Sequence, residues 1–222
     1  MTARRPSLGR ETGTKKTFLW AIDWPGWSRG GPDEAAALEA LVAAAPRYAK
    51  VAERAGLSLP DVGDGTTLEI AVTVDGGAGT DFGIPYEITD DDRRAVSTQQ
   101  ARRLASLVEA AWDELDAVAA RTPPTLRKGP RGGGRDRDKM LGHVIEADGA
   151  YASEMGLKLP AGSLDDRQTV EALRAAILSV LREPSDGSPL AGRRWPVRYA
   201  ARRIAWHALD HAWEMEDRTG PG

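Results

Sequence analysis

The chain of 222 residues has no cysteine, no asparagine and only three histidines. Without cysteine there is no disulfide, no thiolate zinc site and no cysteine nucleophile. Without asparagine there is no N-glycosylation acceptor. No apolar run approaches the roughly 20 residues that a membrane-spanning helix needs. The opening MTARRPSLGRETGTKK is basic and polar with no apolar segment behind it. That predicts a flexible leader over residues 1–16 rather than a secretory signal, and a cytoplasmic protein with no membrane partner. Catalytic signatures are missing too. There is no G-x-S-x-G. Ala208 and Leu209 follow His207, so the HExxH of a zinc protease is absent. RGGGRD at 131–136 lacks the Lys-Ser ending of a phosphate loop.

What is present is the composition of an ordinary globular chain, 41% apolar and 28% charged. Its length suits one full domain and a smaller one. A net charge of −3 makes no general case for nucleic acid. Basic residues are concentrated in two places, six in LRKGPRGGGRDRDK (126–139) and five in RRWPVRYAARR (193–203). Both stretches read either as solvated surface or as an anion-attracting rim.

The first region has the pattern of a small α/β unit over 17–88. TFLWAIDWPGW (17–27) reads as a strand running into a Pro-Gly turn. Residues 32–56 read as a helix with Pro32 at its start, kinked or split by Pro46. TTLEIAVTVDGG (66–77) alternates Leu68, Ile70, Val72 and Val74 with smaller or polar residues, a strand closed by glycine. From residue 90 the pattern is helical throughout. Four amphipathic helices are expected, over 90–121, 136–156 (begun by Asp136 or Asp138, ended by Gly156), 163–184 (capped by Ser163) and 195–220 (ended by Gly220). The expected fold is therefore mainly α, a four-helix bundle over 89–222 preceded by the α/β unit.

RIAWHALDHAWEMEDR (203–218) carries two of the three histidines four residues apart. His207 and His211 leave the same helix face, with Cβ atoms about 6 Å apart. Such a pair either packs in a core or converges on one ion. Trp206, Leu209 and Trp213 fall on a neighbouring face and read as core. The remaining histidine, His143, lies in the middle of the second long helix. Three imidazoles from two helices would make a site with at least one position open, the mark of a catalytic rather than a structural centre. Such a donor set accepts zinc, nickel or ferrous iron.

DRDKMLGHVIEAD and RRIAWHALDHAWEMEDR carry a resemblance to the DinB-like superfamily, whose members are metal-binding four-helix bundles; it covers about residues 90–218. The resemblance implies His143, His207 and His211 as ligands of a divalent metal, zinc or nickel first, and a homodimer as the expected assembly. It also implies transferase chemistry in which the metal holds a low-molecular-weight thiol of the mycothiol or bacillithiol type for attack on a small electrophile. A metal at an open position deprotonates a bound thiol, supplying the nucleophile that a cysteine-free chain lacks. Glu146, Asp210 and Glu214 are candidates to orient the imidazoles through their far N–H groups, or are solvated helix acids. Arg203, one turn before His207, and Arg131, Arg135 and Arg137 are candidates to bind an anionic or polyhydroxylated cosubstrate. The competing expectation is a non-enzymatic stress-response or interaction protein with a structural metal. FLWAIDWPGWSRGGPDEAAALEAL is similar to the HicB-like pattern over about residues 17–55, where Asp-x-Pro-Gly leads to glycine and an acid-started helix. No functional residue follows from that second resemblance.

Overall fold

The computed structural model describes residues 6–66, 68–128 and 134–219. Among them are four strands, β1 (Leu8–Thr12), β2 (Thr17–Ala21), β3 (Ser28–Gly31) and β4 (Ile70–Asp75). Seven α-helices accompany them: α1 (Glu34–Ala43), α2 (Ala45–Arg54), α3 (Ala78–Phe82), α4 (Thr98–Arg121), α5 (Arg137–Glu154), α6 (Arg167–Leu181) and α7 (Val197–Thr219). The strands form one mixed sheet in the order β3-β2-β1-β4, with β1 antiparallel to β2 and parallel to β4.

Residues 8–12 of the expected flexible leader are β1, an interior strand of the sheet, while residues 1–5 lie outside the described residues. The polar sequence LGRET hides this because Glu11, fully buried, is matched by donors from elsewhere: Thr80 Oγ1 and the backbone N–H groups of Tyr86 and Glu87.

The expected four-helix bundle preceded by a small α/β unit gives way to a mainly helical chain of seven helices and a mixed sheet around one hydrophobic core. Leu19, Trp27, Tyr48, Leu107, Leu115, Leu209 and Trp213 all belong to that core. The cause lies in the aromatic residues of the N-terminal part, which have more apolar surface than four short strands can cover. Phe18 meets Trp206 of α7 edge-on, with ring centroids 6.5 Å apart. Trp27 donates from Nε1 to Leu41 O at 2.9 Å, and Tyr48 from its hydroxyl to Pro25 O at 2.8 Å. The Pro25–Gly26 turn presses directly on α7. Gly26 has φ +91°, and a Cβ there would stand 2.7 Å from Leu209 Cδ1, so both conformation and space require glycine.

Helix boundaries follow local capping more closely than apolar periodicity. The first long helix starts at Thr98, not residue 90, because Ser97 and Gln100 form a reciprocal capping box and Val96 pairs with Ser185 in a β-bridge. α6 starts at Arg167 with Asp166, not Ser163, accepting from Thr169 N. The 32–56 helix is divided at Ala44, which puts Pro46 in the first turn of α2, where its missing N–H costs nothing. Gly156 follows α5 with φ +84°, and Gly220 lies outside the described residues. α4 packs on α6 and α7, and α5 packs on the same two helices, so α5 and α7 face each other in direct contact. No helix among the described residues is long and apolar enough to cross a membrane.

Candidate metal centre

α5 and α7 bring the three histidines together. His143 points from the half-buried face of α5, and His207 and His211, 6% and 8% exposed, from the inward face of α7. The Nε2 atoms of His207 and His143 are 3.3 Å apart, and those of His211 and His207 are 3.2 Å apart. One nitrogen from each of the three lies within 4.8 Å of the others, close enough to bind one ion.

Hydrogen bonding within the trio cannot account for this arrangement. Each Nε2 has a single in-plane site, holding either a proton or a lone pair. His207 Nε2 is shared by both short contacts, so at most one of them can be a hydrogen bond. Four ligands placed tetrahedrally at metal–nitrogen distances of about 2.0–2.1 Å stand about 3.3 Å from one another. The separations of His207 Nε2 from those of His143 and His211 match that edge.

The surroundings of His207 and His143 favour the neutral imidazole that a metal ligand must be. Burial, with the charges of His211, Arg203, His143 and Arg135 adding to it, drives the His207 pKa down to about 2. Burial and then Arg135 lower that of His143. Glu214 accepts from His211 Nδ1 at 3.1 Å, which places the proton on Nδ1 and leaves the Nε2 lone pair facing the other two rings. Glu214 is in turn held by Arg218, whose Nη1 donates to Oε1 at 2.8 Å. These contacts, His211 first and against the opposing effect of burial, hold its carboxyl below the usual range.

The other residues singled out in the sequence are distributed differently. Asp210 pairs with Arg29 of β3 at 3.1 Å and makes no hydrogen bond to a histidine, because its side chain leaves α7 toward the sheet. Glu146 is exposed on α5 and reaches His143 only through its charge. Arg203 sits one turn before His207, over the rings of Tyr151 and Trp206. Arg135 is exposed at the start of α5, and its charge acts on His143 and His207. Arg137 is turned away, donating to Thr122 O at 2.9 Å and pairing with Asp138. Arg131 lies outside the described residues, as do the next two glycines of RGGGRD.

Sequence reasoning passed over Tyr151 and Arg29. Tyr151 is eight residues after His143, on the same stripe of α5, and its ring centroid is 5.7 Å from that of His207. Helical spacing from His143 contained that signal. Arg29 comes from a strand nearly two hundred residues away in sequence, and nothing local announces its pairing with Asp210.

No protein-family model matches the chain, and neither a curated protein nor a solved structure does. The centre is therefore defined by its own geometry: three histidines on two facing helices, close enough to hold a metal ion.

Proposed function

We propose that this chain binds a divalent metal, zinc or nickel, through His143, His207 and His211, and uses it in a thiol-dependent transferase reaction of the kind the DinB-like resemblance implies. The observation that carries the reading is His207 Nε2 standing 3.3 Å from that of His143 and 3.2 Å from that of His211, with Glu214 fixing the tautomer of His211. Neutral imidazoles and no carboxylate among the ligands leave the site's full positive charge available to an anionic nucleophile.

A divalent ion held there supplies one thing, a strongly lowered pKa for a thiol taken into the open position. The chain supplies the rest. His143, His207 and His211 hold the ion through Nε2. Glu214 keeps the proton of His211 on Nδ1 and is itself anchored by Arg218. The rings of Tyr151 and Trp206 lie against His207, and Trp195 lies against Tyr151, so aromatic surface borders the centre. No nucleophile of the chain's own is required.

The test is metal content, measured on tag-free protein by elemental mass spectrometry, followed by cobalt substitution and thiol addition. One metal per chain and a change in visible absorption on adding thiol support the transferase. A metal whose absorption ignores thiol, and whose removal collapses thermal stability, supports a structural site instead. No uptake of zinc, nickel or cobalt sinks both.

A further inference from the structure

Arg203 precedes the two histidines of α7 and lies over aromatic rings next to them. Its guanidinium carbon lies 4.6 Å from the centroid of Trp206 and 5.5 Å from that of Tyr151. Trp206 stacks on His207 at 6.0 Å, so cation, indole and imidazole form one column beside the centre. Arg203 Nη1 is buried and has no hydrogen-bond partner among the described residues.

Neighbouring arginines are satisfied differently. Arg29, Arg54, Arg202 and Arg218 each pair with a carboxylate. Arg203 has no such ion pair among the described residues, and the nearest acid on its own helix, Asp210, is taken by Arg29. The other charged groups facing the histidines are Arg135, Glu146 and Glu214. Glu214 is already occupied by His211 and Arg218, and Glu146 is solvated. Arg203 is hydrogen-bonded to the Tyr151 side chain, and its unpartnered Nη1 beside that contact fits an oxygen of a carboxylate.

We propose that Arg203, with the Tyr151 hydroxyl beside it, receives the carboxylate of a small organic acid whose reacting atom lies at the three-histidine centre. This rests on the metal-dependent reading above and adds to it the chemical class of the substrate. Arg203 and His207 leave the same face of α7 one helical turn apart, with Cβ atoms about 6 Å from each other. A short aliphatic acid functionalised two or three carbons from its carboxyl group has that span.

The probe is 3-mercaptopropionate, which carries a thiol and a carboxylate at this separation, against its neutral amide, 3-mercaptopropionamide. Each is titrated into the cobalt-loaded protein and followed by visible absorption. The acid is expected to bind about tenfold more tightly than the amide, the usual worth of one charge-assisted hydrogen-bonded pair. Arg203→Met should abolish that preference, Arg203→Lys should restore part of it, and Arg135→Met should leave it in place. Circular dichroism and unchanged cobalt uptake show that the variants are folded. Equal affinities for acid and amide, or a preference that survives Arg203→Met, overturn the proposal. If the chain takes up no cobalt, it is the functional reading that fails. Calorimetry of propionate against propionamide on the metal-free protein then judges Arg203 alone. Heat with propionate that Arg203→Met removes supports the anion site, and no difference between the two probes overturns it.

Discussion

His143 on α5 and His207 on α7 place their Nε2 atoms 3.3 Å apart, although 63 residues separate them in the chain. The contact is too short for two lone pairs to tolerate without a proton or a cation between them. Because His207 also approaches His211 at 3.2 Å, one proton cannot relieve both contacts. A cation would relieve both.

Removing any one ligand should therefore remove the ion. His143→Ala and His211→Ala are each expected to reduce bound metal from about one per chain to near zero. Chelation of the wild type should lower its melting temperature, since a ligand present at a thousand times its Kd stabilises by about 4 kcal/mol. Elemental analysis and a thermal scan with and without chelator check both. Metal retained by His143→Ala would show that α5 does not contribute a ligand.

Glu214 touches the centre only through His211 Nδ1. Glu214→Gln keeps the shape but loses the charge that favours the required tautomer. Metal affinity should fall by about 10–100-fold with the fold intact. Competition against a chromophoric chelator reads the change, and an unaltered affinity would make Glu214 a bystander.

The His207 pKa, depressed from 6.5 to about 2 in the folded chain, has a defined sign in stability. Below pH 6.5 the unfolded chain takes up a proton that the folded chain refuses. This contribution is thus complete above pH 6.5 and is lost as pH falls toward 2, by about 1.4 kcal/mol per unit. Urea unfolding of the metal-free protein at several pH values, compared with His207→Leu, should show the difference between the two shrinking with acid. Parallel pH profiles would contradict it.

Asp148, 2% exposed, works in the opposite direction. Burial pushes its carboxyl up to about 7, against the pull of Arg174, whose Nε stands 3.6 Å from Oδ2. Its folded pKa is raised, so its contribution is complete below 3.8 and is lost as pH rises through 7. Relative to wild type, Asp148→Asn should therefore gain stability as pH rises from 4 to 7, by up to about 1.4 kcal/mol per unit. The two groups offset each other between pH 4 and 6.5, so the wild-type profile should be flatter there than that of either variant. An Asp148→Asn difference that ignores pH would place the titration elsewhere.

Arg202 and Asp92, 6% and 5% exposed, form a buried pair at 2.7 Å, and Arg202 also donates to Glu87 O at 2.9 Å. Asp92→Ala leaves an uncompensated guanidinium in the core and should cost about 3–5 kcal/mol. Chemical denaturation measures it. A loss below about 1 kcal/mol would mean that the cation escapes to solvent.

Much of the helical half is legible in the sequence because helices are local. Apolar spacing of 3.6 residues marks all four long helices, and the four-residue spacing of His207 and His211 requires that they share a face whatever packs against it. The strand of residues 70–75 is visible for the same reason, through its alternation. β1 is not, since its polar residues are paid for by Thr80, Tyr86 and Glu87, about 70 residues distant. The absence of cysteine, the presence of three histidines and the pairing of two of them are determined by sequence alone. That His143 completes the trio, that Glu214 and not Asp210 serves His211, and that Arg203 is left without an anion were decided by the tertiary structure. Each depends on which helix faces which, and that follows from burying the aromatic surface of the sheet and α7 in a common core, a property no single segment contains.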